Sequence, residues 1–207
     1  MGGVVIAGAL VLAFVLVTGR SKAATADITG GRSIGRSDAP VKLDLWADFQ
    51  CPTCAVFNTK IKPALIETYV KTGKASLTFH DMAFMGSESV AAAMGARCAE
   101  RQRKFWPYHD LLFAKQEGKQ SGAFELGRLK AYALTLGIDM EAFSNCLADP
   151  NVEEAVHADT RRAYAMRVKE TPTLLVNGTT VPSMMNWPFV AAVIDVALKE
   201  SSTSAAR

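Results

Sequence analysis

The sequence predicts an α/β fold that carries an inserted helical subdomain and is preceded by an N-terminal hydrophobic helix. Three observations lead to this prediction. An alternating strand pattern runs directly into a Cys-x-x-Cys pair and a helical pattern near residue 50. Helical periodicity then continues without a strand from about residue 87 to residue 168. A hairpin signal follows this block, so the helices are expected to interrupt a single sheet.

The first segment of the chain is strongly apolar. Residues 2–19 contain no charged side chain and are mostly Val, Leu, Ala and Ile. At about 1.5 Å rise per residue, this segment nearly matches a hydrocarbon core of roughly 30 Å. Residues 1–20 are therefore interpreted as a transmembrane anchor or a signal peptide. The small-x-small sequence Ala24-Thr25-Ala26 favours cleavage, whereas the length of the run and the Arg20 and Lys22 that follow it favour an anchor.

A single soluble domain is expected over residues 40–200. The preceding segment, residues 21–39, is rich in Gly, Ser, Ala and Thr, which predicts a flexible linker. Beyond it, Val41 to Ala47 alternates between apolar and mostly polar residues, the pattern of a half-buried strand.

The Cys-x-x-Cys pair opens the first helix of this domain. Apolar spacing predicts a helix from Ala55 to Tyr69, which Pro63 should kink or split because proline removes a helical hydrogen bond. Gly73 is suited to the end of this helix, since glycine readily adopts a left-handed conformation. Residues 75–80 alternate again and predict a second strand.

Several helices follow within the block at residues 87–168. Separate apolar faces predict helices at Leu126–Leu136, Met140–Leu147 and Val152–Arg167. The sequence Asp149-Pro150-Asn151 separates the last two, with residues typical of a turn and a helix cap.

Two cysteines lie in this helical block. Cys98 and Cys146 each occupy an apolar helical face. One interpretation is a pair of buried free thiols. In an oxidising compartment we instead expect a structural disulfide that joins two helices of the insertion.

The chain then returns to strand patterns. Pro172–Val176 predicts a strand, Asn177-Gly178 predicts a hairpin turn, and Thr179–Val181 begins the returning strand. A last amphipathic helix follows, and residues 201–207 are expected to form a disordered tail.

The Cys51-Pro52-Thr53-Cys54 segment carries the chemistry. Cys51 precedes the first helical turn, where unpaired backbone N–H groups and the helix dipole favour a thiolate. Cys54 follows on the same face and within disulfide reach. This arrangement predicts a redox dithiol. The alternative is an extracytoplasmic copper- or zinc-binding module, although no His or other Cys lies within a dozen residues of the pair.

Composition narrows the other possibilities. The formal net charge is +3, and no basic run with interleaved aromatic residues is present, so no nucleic-acid partner is expected. Dithiol exchange requires no organic cofactor and no metal.

The soluble region resembles the DsbA-like branch of the thioredoxin superfamily, the bacterial extracytoplasmic thiol:disulfide oxidoreductases. The resemblance covers residues 38–198 and is carried by four stretches. They are the entry to the cysteines (SDAPV leading to DFQCPTC), AAAMGARCA, KFWPYHDLLF and ETPTLLVNG.

This resemblance implies a thioredoxin-like fold with a helical insertion and catalytic roles for Cys51 and Cys54. It implies that the Thr171-Pro172 bond is cis, lies against the cysteines and lets the Thr171 backbone bind an extended substrate. The implied substrates are cysteine-containing exported proteins, and the implied partner is a membrane protein that re-oxidises or reduces the dithiol. The expected location is the outer face of the cell membrane, or the periplasm or exterior if the leader is cleaved.

The sequence departs from this family at two positions. Relatives often place a buried acid six residues before the first cysteine, and here that residue is Leu45. Asp44 is one residue earlier and is expected to point to the opposite side of the strand. Glu170 stands where relatives often have glycine, which adds a negative charge close to the dithiol.

Overall fold

The computed structural model describes residues 31–205, which form a mixed sheet and eight α-helices. The strands are β1 (Ser33–Ile34), β2 (Val41–Ala47), β3 (Ala75–Asp81), β4 (Thr173–Val176) and β5 (Thr179–Thr180). The helices are α1 (Pro52–Lys60), α2 (Lys62–Leu65), α3 (Ser87–Glu100), α4 (Phe105–Ala114), α5 (Leu126–Thr135), α6 (Met140–Leu147), α7 (Pro150–Ala165) and α8 (Trp187–Ala205).

The strand order in the sheet is β1-β3-β2-β4-β5. The pairing of β2 with β3 is parallel, and the other three pairings are antiparallel. Helices α3 to α7 form the insertion between β3 and β4, as the periodicity of the sequence predicts. The α/β class with a helical insertion is therefore confirmed.

The central strand β2 separates two cores. Val41, Leu43 and Leu45 belong to the main hydrophobic cluster, together with residues of α1, α3 and α8. Trp46, which was expected on the more polar face, is fully buried in a second cluster that α7 covers. Because β2 is packed on both faces, the cysteine segment at its end starts from a rigid position.

The first helix divides at the position that Pro63 predicts. Helix α1 ends at Lys60, α2 begins at Lys62, and Ile61 between them has φ −106° and ψ −50°. A π-helical turn, Ile66–Val70, completes this region. Gly73 follows with φ +74°, a conformation that glycine adopts without steric cost.

Helices α3 and α4 pack closely because of one glycine. A Cβ atom at Gly95 of α3 would lie 2.8 Å from the hydroxyl of Tyr108 in α4. That hydroxyl donates a hydrogen bond to the carbonyl oxygen of Leu129 in α5. A larger residue at position 95 would therefore push three helices of the insertion apart.

Two predictions at the domain boundaries are wrong. Residues 33–34 belong to the predicted linker but form β1, because Ile34 buries its side chain and the strand pairs with β3. Residues 201–205 belong to the predicted tail but continue α8, where Ser201 donates a hydrogen bond to the carbonyl oxygen of Pro40. The predicted leader at residues 1–20, the linker residues 21–30 and residues 206–207 lie outside the described residues. Within residues 31–205, no helix combines the length and apolar character that a membrane crossing requires.

Candidate active site

The end of β2 and the start of α1 position the two cysteines. Cys51 is the residue just before α1 and has an extended backbone, with φ −77° and ψ 116°. Cys54 lies in the first turn of the helix. Both are free thiols and are almost fully buried, with exposed fractions of 3% and 2%.

The two thiols differ strongly in acidity. The pKa of Cys51 is lowered to about 6, chiefly by a hydrogen bond from the Cys54 thiol. Burial acts in the opposite direction and raises this pKa. The Thr171 side chain and the backbone N–H groups of Thr53 and Cys54 lower it further. The pKa of Cys54 is raised, chiefly by burial and further by the neighbouring Cys51. At neutral pH the pair therefore holds one thiolate, mainly on Cys51, and one proton, on Cys54.

This difference predicts the pH dependence of alkylation. The reduced protein should react with iodoacetamide at a rate that rises with a midpoint near pH 6, because only the thiolate is nucleophilic and the pKa of Cys51 is about 6. Mass spectrometry of the modified peptide would measure this rate. A midpoint above pH 8, as for an ordinary cysteine, would contradict the prediction.

The loop before β4 lies against the dithiol. The Thr171–Pro172 peptide bond is cis. In its protonated form, the Cys51 thiol donates a hydrogen bond to the carbonyl oxygen of Thr171 across 3.2 Å. The hydroxyl of Thr171 is buried and makes no conventional hydrogen bond with the described residues, yet its proximity lowers the pKa of both thiols. This hydroxyl is thus a donor available to a thiolate.

The carboxylate of Asp48 organises the segment before the cysteines. Asp48 is 1% exposed and accepts four hydrogen bonds. Its Oδ1 accepts from the backbone N–H of Gln50 at 2.8 Å and from the hydroxyl of Ser89 at 2.6 Å. Its Oδ2 accepts from the backbone N–H groups of Phe84 and Met85 at 2.9 Å and 3.1 Å. Asp48 therefore ties the cysteine segment to the start of α3.

Two glutamines connect the same segment to the loop between α4 and α5. The Gln50 side chain, which is fully buried, accepts a hydrogen bond from the backbone N–H of Gln120. The Gln116 amide donates to the carbonyl oxygens of Phe49 and Cys51, the latter at 3.1 Å. The helical insertion thus holds the backbone on which Cys51 is placed.

Replacing Asp48 by asparagine should destabilise the protein by about 2 kcal/mol. The single amide oxygen cannot accept all four hydrogen bonds, so buried donors lose their partners. Urea unfolding would measure this change. Asp44→Asn is the matched control, because the Asp44 side chain is partly exposed and, within residues 31–205, is hydrogen-bonded to His80 alone, at 2.7 Å. Equal unfolding midpoints for the two variants would contradict a structural role for Asp48.

Comparison with known proteins identifies the family. A family model described as Thioredoxin matches residues 27–196. The chain belongs to the thioredoxin family. It is 33% identical over 151 residues to a probable disulfide bond formation protein D of Bacillus anthracis, covering 71% of this chain and 70% of that protein.

Solved structures place the chain more narrowly. The oxidised crystal structure of BdbD from Bacillus subtilis superposes with a TM-score of 0.76 at 26% identity, covering 84% of this chain and 96% of that chain. The α-DsbA1 structure from Wolbachia pipientis has a TM-score of 0.75 at 19% identity, covering 84% and 93%, which shows the common fold. This thioredoxin-family chain is a DsbA-like thiol:disulfide oxidoreductase, and the resemblance found in the sequence is confirmed.

The acid that many thioredoxin-family proteins hold beneath the cysteines is replaced here by an apolar residue. Leu45 is 2% exposed and pairs with Leu174 of β4. Asp44 lies on the opposite face of β2, as the alternation predicts, and bonds His80. The Cys54 proton therefore has no carboxylate acceptor at the Leu45 position.

The remaining two cysteines pair with each other, and two of the histidines have partners of their own. Cys98 of α3 and Cys146 of α6 form a disulfide with a Cα–Cα distance of 5.7 Å. His109 is fully buried among aromatic rings, and burial is the main reason that its pKa falls to about 4. His157 is partly exposed and lies near Glu153. Within residues 31–205, no cluster of three or more His, Cys, Asp or Glu side chains could hold a metal ion.

Sequence reasoning overlooked Asp48, Gln50 and Gln116. Apart from the bond between Asp48 and the Gln50 N–H, their partners lie 35 to 70 positions away in the chain, so local patterns do not reveal them. One signal was available. Asp48 stands between an apolar strand and the Cys-x-x-Cys helix, a position inside the hydrophobic core or at the edge of that core. A carboxylate buried there requires several hydrogen-bond donors.

Proposed function

We propose that this oxidoreductase forms disulfides in exported proteins through the Cys51–Cys54 pair. The observation that carries the proposal is the contrast between the two thiols. Cys51, at the start of α1, has a pKa of about 6, and Cys54 has a raised pKa. A stabilised Cys51 thiolate favours the reduced dithiol and so makes the disulfide more oxidising, by about 30 mV for each 1.4 kcal/mol.

The reaction consists of two exchanges. A substrate thiolate attacks the Cys51 sulfur of the Cys51–Cys54 disulfide, which forms a mixed disulfide and releases Cys54 as a thiolate. Cys54 takes up a proton, since its pKa is raised. A second substrate thiolate then attacks the substrate sulfur of the mixed disulfide, and Cys51 leaves as a thiolate. Two electrons pass from the substrate to the dithiol, and a low pKa makes Cys51 a good leaving group.

Thr171 and Pro172 are proposed to bind the substrate chain. The carbonyl oxygen of Thr171 lies within hydrogen-bonding distance of the Cys51 sulfur, so a chain bonded to Cys51 lies beside this backbone. An open groove of about 560 Å³ adjoins the loop and provides room for an extended segment. Backbone pairing would leave substrate choice to the side chains that line the groove.

The proposed location is extracytoplasmic, with a membrane redox partner that re-oxidises the dithiol. The apolar sequence at residues 2–19 and the Cys98–Cys146 disulfide support this location, because disulfides persist in oxidising compartments. The same apolar segment would anchor the domain to the membrane, unless it is removed.

The test is direct transfer of a disulfide. The oxidised protein is mixed with a reduced, unfolded protein that becomes active only when its disulfides form. We expect one disulfide transferred per molecule and a reduction potential above about −200 mV, in the range of strong oxidants. A protein that only reduces disulfides, with a potential near that of thioredoxin at about −270 mV, would overturn the proposed direction.

A further inference from the structure

The groove beside the dithiol has an uneven chemical character. Its floor and walls come from Thr53 between the cysteines, from the Thr171–Pro172 loop and from residues 180–186, which begin at the last residue of β5. Most of these side chains are hydroxyl-bearing or apolar. Glu170 is the only one with a formal charge among the described residues that line the groove.

The Glu170 carboxylate has no partner within residues 31–205. Glu170 is exposed. Its hydrogen bond with Thr173 uses the backbone carbonyl oxygen of Glu170, which accepts from Thr173 Oγ1 at 2.7 Å, and not the carboxylate. Other exposed acids do pair with cations, as Glu154 does with Arg161. The cations that precede Glu170 on its loop, Arg167 and Lys169, do not line the groove.

We propose that Glu170 makes this groove selective for substrate segments with a lysine or arginine beside the reactive cysteine. The inference rests on the proposed function, because it concerns the same substrate groove. Glu170 directly precedes the Thr171 backbone that faces the Cys51 sulfur. In an extended chain paired with this backbone, side chains of neighbouring residues lie about 5–8 Å apart. A cationic flank is thus attracted to Glu170, and an acidic flank is repelled.

The expected size follows from this distance. At about 6–7 Å in a largely aqueous setting, one charge pair changes a rate by roughly threefold. A lysine flank is attracted to Glu170 and a glutamate flank is repelled, so the two effects multiply. The rates for these two substrates should therefore differ by about five- to tenfold. A basic flank also lowers the pKa of the substrate thiol itself. Rates must therefore be compared at equal concentrations of substrate thiolate.

The experiment uses the oxidised protein and three peptides, each with a single cysteine. The peptides differ only in the residue next to that cysteine, which is Lys, Gln or Glu. Stopped-flow measurement gives the second-order rate for attack on the Cys51–Cys54 disulfide. For the unmodified protein, we expect the rate to be highest for the Lys peptide, intermediate for the Gln peptide and lowest for the Glu peptide. The difference between these rates should decline as the salt concentration increases. Glu170→Gln should reduce the Lys-to-Glu ratio to below about twofold, Glu170→Lys should invert it, and Glu170→Asp should preserve it.

Glu200→Gln is the matched control, since Glu200 is an exposed acid on α8 and should leave the ratio unchanged. Circular dichroism would verify that each variant is folded. An unchanged ratio in Glu170→Gln would overturn this inference and leave the proposed function intact. Failure of all three peptides to reduce the Cys51–Cys54 disulfide would instead overturn the proposed function.

Discussion

Replacing Cys51 with serine is expected to lower disulfide exchange by roughly a thousandfold or more, because it removes the sulfur that forms the mixed disulfide. Cys54 cannot take over this role, since burial, the main cause of its raised pKa, keeps it a thiol after Cys51 is replaced. The other two cysteines are already joined to each other. The variant should be tested in its reduced form with an excess of an aromatic disulfide reagent.

The matched variant Cys54→Ser separates the two roles. The unmodified protein should release two equivalents of aromatic thiol, one when Cys51 attacks the reagent and one when Cys54 resolves the mixed disulfide. Cys54→Ser should release one equivalent and retain the mixed disulfide on Cys51, which mass spectrometry would detect. Reaction of Cys51→Ser at the rate of the unmodified protein would show that Cys54 is the accessible sulfur and contradict the assignment.

Replacing both Cys98 and Cys146 with alanine is expected to lower the free energy of unfolding by about 4 kcal/mol. The bond closes a loop with a sequence separation of 48, and the chain-entropy relation gives this value for a loop of that length. Urea unfolding would show the loss as a lower midpoint. Exchange should change by less than about twofold, because the groups that hold Cys51 come from the α4–α5 loop and the loop of Thr171.

Reduction provides the control for this variant. A reductant strong enough to open the Cys98–Cys146 bond should bring the unmodified protein close to the stability of the double variant. A remaining difference would measure the packing lost with the two sulfur atoms. Equal midpoints without reductant would contradict a stabilising role, and loss of exchange in a folded variant would show that these cysteines take part in electron transfer.

The parts of this structure that the sequence predicted are those encoded by nearby residues. The strand at Val41–Ala47, the break before Pro63 and the hairpin at Asn177-Gly178 follow from local periodicity and backbone preference. The position of Cys51 at a helix start follows from the same local pattern. The thioredoxin-like topology did not follow from periodicity, and the family resemblance implied it.

The unpredicted features depend on distant partners. Residues 33–34 were assigned to a linker because the segment around them is rich in Gly, Ser, Ala and Thr, yet β3 provides an edge with which they pair. Asp48 and Gln50 resemble ordinary polar residues until the insertion places Ser89 and Gln120 beside them. Near the end of α8, Ser201 likewise contacts the distant Pro40. A propensity argument has no access to such long-range contacts.

The reactivity of Cys51 has a consequence for biosynthesis. One of the groups that lower its pKa is the side-chain hydroxyl of Thr171, which lies 120 positions later in the chain. A chain emerges from the ribosome with its N-terminal part first. Cys51 therefore appears long before Thr171, which supplies part of the lowering of its pKa. Its activation coincides with completion of the fold, which limits premature exchange with Cys98 and Cys146 in the same nascent chain.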